Sequence, residues 1–129
     1  MELQTKKITA QKSQEEIFNF LTDLKNFEQL MPENIEKFEV DGDSFLFCLK
    51  GMPEIRLVLN EQTPNEKIVL GAASSKLSFS LIGAIESVDA NSSDVQLFFK
   101  GDFNPMMAMM VKKPLQKFMD VLIENIEKL

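Results

Sequence analysis

Few residues in this chain are equipped to do chemistry, and their types limit what that chemistry can be. There is no His, no Tyr and no Trp, so the side chain most used for general acid–base catalysis and for binding transition metals is missing. The single cysteine, Cys48, allows neither an intrachain disulfide nor a thiolate cluster, and no residue close to it in sequence would activate the thiol. No metal and no cofactor is therefore expected. Arg56 is the sole arginine, with a fork suited to a carboxylate, but it alternates with Ile55 and Leu57 and so belongs on the outward face of its strand. The carboxylate pairs Glu15/Glu16 and Asp41/Asp43 fall where caps and turns use acidic residues for local reasons. That leaves the unusual segment "NPMMAMMVKKPLQKFM", residues 104–119, with Met106, Met107, Met109 and Met110 ahead of Lys112, Lys113, Pro114 and Lys117. The lysines read as a solvated helix face. The methionines, soft and unbranched, read either as plugs for an irregular core or as the wall of a deformable cavity.

The elements that position these residues follow from periodicity. Residues 2–10 have the character of a strand. Ser13 stands three residues before Glu16 and ahead of Ile17, Phe18, Leu21 and Leu24, which is the spacing of a capping box at a helix start. Phe27, Leu30 and Met31 continue at helical spacing until Pro32, so two short helices are predicted to meet around Asp23 to Asn26. From residue 35 the period changes to two. Six strand-like runs follow one another, separated by turn signals such as Asp41-Gly42-Asp43, and each has one strongly apolar face. Such a series predicts a continuous antiparallel sheet, because parallel neighbours would need a helical crossover between each pair. Asn104 as cap and Pro105 at the first position then open a helix predicted to reach Leu129, about 36 Å long, with a bend near Pro114. Its apolar stripe is Met107, Val111, Leu115, Phe118, Leu122, Ile126 and Leu129. A stripe of that length needs a broad apolar partner, and the concave face of the sheet is the one available.

A chain of 129 residues with 44% hydrophobic and 26% charged residues is expected to form one domain, residues 1–129, around one core. No apolar run approaches the roughly 20 residues that cross a bilayer, so no stable membrane insertion is expected. The N-terminal residues lack the apolar region of a secretory signal, which with the lone cysteine points to the cytoplasm. A net charge of −6 sets a repulsive background against phosphate backbones and anionic lipid, and nucleic acid is not an expected partner.

The order of strand, two short helices, six antiparallel strands and a long closing helix resembles the helix-grip fold of the START and birch-pollen-allergen superfamily, known as SRPBCC. The opening "KITAQKSQEEIFNFLTDLKNFEQLMPE" is similar to that of small bacterial members. The close, "GDFNPMMAMMVKKPLQKFMDVLIENIEKL", resembles that of a bacterial subgroup with an Asn-Pro start, a Met-rich turn and Lys-Lys-Pro-Leu. The resemblance covers essentially the whole chain and implies an α+β fold, an antiparallel sheet of about seven strands wrapped around the C-terminal helix. It specifies function poorly, because the superfamily includes lipid carriers, hormone binders, cyclases, oxygenase subunits and chaperone activators. The absent histidines exclude the oxygenase catalytic subunits.

The reading that combines residues and resemblance is a non-catalytic carrier or sensor for a small, mostly apolar molecule such as a lipid, polyketide or isoprenoid. Its expected ligand-binding residues are Phe27, Leu30, Phe47, Leu57, Leu70, Phe79, Leu81, Phe99, Met107, Met110, Val111 and Phe118, with Met52 in "KGMPE" as a gate or an ordinary turn residue. A cyclase-like or hydrolytic enzyme working through buried carboxylates is the first alternative, and a protein-interaction module with an exposed apolar patch the second. The oligomeric state is left open.

Overall fold

The computed structural model describes residues 1–33, 35–50, 54–72 and 78–129, with Ser78 described in its backbone alone. Met52 thus lies outside the described residues. Two short strands, β1 (Glu2–Gln4) and β2 (Ile8–Ala10), precede helix α1 (Gln14–Thr22), a 3-10 turn (Leu24–Asn26) and helix α2 (Phe27–Leu30). Then come β3 (Ile35–Asp41), β4 (Ser44–Leu49), β5 (Ile55–Thr63), β6 (Lys67–Ala72), β7 (Ser78–Asp89) and β8 (Ser92–Asp102), and helix α3 (Pro105–Glu127) closes the chain. The strands form one eight-stranded antiparallel sheet in the order β1-β8-β7-β6-β5-β4-β3, with β2 also paired to β8.

Eight strands replace the seven predicted because the first run is broken. Thr5 is the reason: it is buried, its Oγ1 accepts from the Leu97 amide at 3.1 Å and its own amide donates to the Leu97 carbonyl at 3.0 Å. The register shifts by one residue past Thr5, and the chain rejoins β8 at Ile8, opposite Val95.

Helix α1 starts as its spacing predicts. Ser13 and Glu16 form a reciprocal capping box, and Ile17, Phe18 and Leu21 are buried. Gly42, at φ +62°, makes the turn between β3 and β4, a conformation that glycine adopts without steric cost. At the other end of the chain Asn104 Oδ1 accepts from the Met107 amide at 2.8 Å, capping α3. The helix runs unbroken through Pro114, whose missing N–H leaves the Met110 carbonyl without its helical donor.

Helix α3 lies across the concave face of the sheet. Leu115, Phe118, Leu122 and Ile126 of the predicted stripe are buried, joined by Met119 and Ile123, which widen it beyond a single row. From the sheet, Phe45 and Phe47, Leu57, Ile68 and Leu70, Leu81 and Ile85, and Val95, Leu97 and Phe99 meet it as one core. Each such side chain contributes about 1.5–3 kcal/mol on full burial. Two amides fasten the helix: Gln116 Nε2 donates to the Gln4 carbonyl at 3.0 Å and Asn125 Nδ2 to the Leu30 carbonyl at 2.9 Å. The first ties α3 to the sheet edge and the second to α2.

Candidate functional site

The core does not close completely under the N-terminal half of α3. A cavity of about 60 Å³ remains there, lined by Phe47 of β4, Ile55 and Leu57 of β5, Phe79 and Leu81 of β7, Phe99 of β8, Phe103, and Met107, Val111, Leu115, Phe118 and Met119 of α3. Every one of these side chains is apolar. Two aromatic groups line it. Phe47 and Phe118 stack with ring centroids 4.7 Å apart, and Phe99 stacks on Phe79 at 5.6 Å and on Phe103 at 6.1 Å.

Burial shows which way the cavity opens. Phe47, Leu57, Leu81, Phe99, Leu115, Phe118 and Met119 are buried, whereas Ile55, Phe79, Phe103, Met107 and Val111 are only partly so. The mouth therefore lies where β5 and β7 begin and where β8 hands over to α3. Gly101 helps to shape it. A Cβ there would stand 2.6 Å from the Phe103 ring and 3.0 Å from the Phe99 ring, so the glycine is what lets these two rings come together.

Eight of the twelve residues expected to bind ligand line this cavity: Phe47, Leu57, Phe79, Leu81, Phe99, Met107, Val111 and Phe118. Phe27, Leu30 and Leu70 instead border a separate void of about 10 Å³ beneath α1 and α2, which Leu81 also touches. Alternation put them on the correct face but does not say how far along the sheet a void begins. Met110 is in neither. At 71% exposure it points to solvent, as do Met106 and Met109 at 74% and 82%, so Met107 is the one methionine of the four that reaches the cavity. Of the residues not anticipated, Ile55 and Phe103 share the inward alternation of their runs and Leu115 was in the helical stripe. Met119 had a weaker signal, standing four residues after Leu115.

The polar candidates fall outside the cavity. Arg56 is half-buried on the outward side, where its Nη1 donates to Ser44 Oγ at 3.1 Å, and Cys48 is half-buried on the same side of β4 as Leu46, away from Phe47. Among the described residues no group of His, Cys, Asp or Glu could hold a metal ion. Among the described residues two carboxyls have pKa values displaced from the ordinary range, both downward. Glu16 is lowered mainly by the Ser13 amide and then by the Ser13 hydroxyl, and Asp89 mainly by the Asn91 amide. Both are exposed acceptors in caps and turns, remote in role from an acid held protonated for catalysis.

The fold has many solved counterparts. A START superfamily protein from Mycobacterium smegmatis superposes with a TM-score of 0.75 at 15% identity, over 98% of this chain and 94% of that one. The KanY protein gives 0.77 at 10% identity, over 99% and 95%. Norcoclaurine synthase from Thalictrum flavum, solved in complex with dopamine and hydroxybenzaldehyde, gives 0.72 at 13% identity, over 99% and 84%. No protein-family model matches the sequence, and no curated protein matches it. The architecture is thus the helix-grip fold of the START and birch-pollen-allergen superfamily, with an enzyme among its structural relatives.

Proposed function

We propose that this protein is a non-catalytic binding or carrier protein that holds a small apolar molecule between the sheet and the N-terminal half of α3, acting in the cytoplasm. The observation that carries the reading is the wall of the cavity, twelve apolar side chains of which five are phenylalanine: Phe47, Phe79, Phe99, Phe103 and Phe118. A buried hydroxyl, amine or carbonyl would have no side-chain partner among these residues, and burying a polar group without one costs roughly 2–7 kcal/mol. The favoured ligand is therefore hydrocarbon over the part that enters, with any polar group left at the mouth. Rings suit it better than chains, because phenylalanine faces and edges reward offset or edge-on aromatic contact.

The unaltered cavity is small. Pockets for drug-sized ligands hold roughly 300–1,000 Å³, so 60 Å³ accepts little more than a fragment unless side chains move. Met107 and Val111 at the mouth and Met119 within are the adaptable part of the wall, and methionine re-packs at low cost. Binding is favoured over catalysis because the described wall offers no group to give or take a proton. Norcoclaurine synthase, on the same architecture, is a reminder that the fold itself does not decide this.

Two measurements test the proposal together. Native mass spectrometry of protein purified gently from its own cells should show a small apolar adduct, and titration with naphthalene or a naphthalene sulfonate should give saturable uptake by the folded protein. Phe79→Asp, which places a charge at the mouth, should abolish uptake while circular dichroism stays unchanged. No adduct and no saturable uptake would reduce the cavity to a packing defect.

A further inference from the structure

Three of the four large hydrophobic side chains found exposed among the described residues occur within five positions of α3: Met106, Met109 and Met110. Single exposed apolar residues are commonplace, whereas a contiguous group on one turn asks for a partner. At about 100° per residue Met106, Met110, Lys113 and Lys117 fall within an arc of roughly 60°, with Met109 and Lys112 flanking it on one side. The cavity-lining Met107, Val111 and Phe118 lie on the adjacent side of the helix, about 60–100° around its axis from Met110.

The charge around this group is opposite to that of the whole chain. Residues 103–119 contain three lysines and no aspartate or glutamate, in a protein of net charge −6. Lys112, Lys113 and Lys117 are exposed, and the ion pairs among the described residues use Lys7, Lys37 and Lys67 instead. The bounding acids are Asp102, exposed before the helix, and Asp120, whose carboxylate accepts from Gln116. Asp120 stands only about 4.5 Å along the axis from Lys117 and offsets part of its charge, but it is about 10–12 Å from Lys113 and Lys112, beyond the roughly 8 Å over which charge acts at physiological ionic strength. The partner therefore meets a basic patch and not the acidic average.

We infer that the outward face of the first turns of α3, Met106, Met109 and Met110 backed by Lys112, Lys113 and Lys117, docks reversibly on an anionic lipid surface. The order along the axis matches the depth profile of a bilayer. Thioether chains lead, and the amines follow about 3–16 Å behind, a span that includes the 5–10 Å to which interfacial side chains sink below the headgroups. Lysine stems can lie along the apolar layer while their ammonium groups reach phosphate. A second copy of the chain fits less well, since apposing two such faces brings six lysines together. Docking would turn the cavity mouth at Phe103 and Met107 toward the acyl layer, but the inference stands on surface residues and does not require that the cavity be occupied.

Vesicle co-sedimentation of the whole chain, with no added ligand, tests it separately from probe uptake. Phosphatidylcholine vesicles should retain little protein, and vesicles mixed with phosphatidylglycerol should retain it at low ionic strength and release it near 1 M salt, where the Debye length is about 3 Å. Each lysine at an anionic surface is worth about fivefold in partitioning, so Lys112→Gln/Lys113→Gln/Lys117→Gln should lose roughly a hundredfold. Met106→Ser/Met109→Ser/Met110→Ser should lose at least about tenfold. All six side chains are at the surface, and an unchanged urea midpoint will show that both variants fold. Partitioning indifferent to lipid charge, or unaffected by either triple variant, overturns the inference. So does the absence of partitioning, and a concentration-dependent dimer abolished by the serine variant would assign the patch to self-association.

Discussion

Phe47 of β4 and Phe118 of α3 stack almost face to face, 6° from parallel with centroids 4.7 Å apart, and the pair is the contact by which helix and sheet close one wall of the cavity. Both rings are buried, and Phe47 also stacks on Phe45 at 6.0 Å. Phe118→Ala removes a ring from a packed wall and extends the void beside it. Phe→Ala in cores costs about 3–5 kcal/mol, and urea unfolding should place this variant in that range. The same truncation should admit larger aromatic probes, so a rise in naphthalene affinity accompanies the loss of stability. A stability change below about 1 kcal/mol would mean that the stack contributes little.

The two cavity methionines should behave differently. Met119 is 1% exposed and enclosed on most sides, so Met119→Ala leaves a void and should cost about 2–5 kcal/mol. Met107 is half-buried at the mouth, where fewer contacts are lost, and Met107→Ala should fall at or below the bottom of that range. Urea midpoints of the two variants, measured side by side, give the comparison. Equal losses would show that the mouth is packed as tightly as the interior.

Gly101→Ala tests the shape of the mouth. The new methyl would stand 2.6 Å from the edge of Phe103, which is closer than real contacts allow, so that ring must swing away from Phe79 and Phe99. Overpacking of this kind costs about 1–3 kcal/mol. Probe affinity should shift by more than the change in stability explains, and Phe103→Leu in the same background should recover stability by relieving the clash.

The capping box predicts a specific pH dependence. The Ser13 amide and hydroxyl hold the pKa of the Glu16 carboxyl below its ordinary value, so its folded value lies below its unfolded value. The stabilisation is therefore complete above the unfolded value and fades as pH falls through the folded one. Glu16→Gln keeps an acceptor for the Ser13 amide without a titrating group, and its urea midpoint should vary less with pH in the acid range. Asp89, lowered in the same sense by the Asn91 amide, is untouched by this change and leaves a residual slope.

Particular residues show why the fold was more legible in the sequence than the site. Ser13 with Glu16, Gly42 in its turn and Asn104 before Pro105 each act through local chemistry, and local chemistry is written in neighbouring residues. Alternation likewise identified the inward rows that include Leu57, Leu81 and Phe99. The methionines were harder. Residues spaced one, three and four apart spread around a helix, and Met110 sits about 100° from Val111, outside the buried stripe, although three residues from Met107. Phe27, Leu30 and Leu70 border the smaller void for a different reason. Whether an inward side chain meets a void or another side chain depends on the distance between sheet and helix at that level, which no pattern in one strand records.

Thr5 extends that point to the far edge of the sheet. Its hydroxyl stands in for a rung of the ladder with Leu97, so the rim stays joined to β8 although the register shifts by one residue between Gln4, opposite Phe98, and Ile8, opposite Val95. Without that hydroxyl the buried Leu97 amide would lose its acceptor. One oxygen at residue 5 thus secures the seam along which the first and last strands of the chain meet.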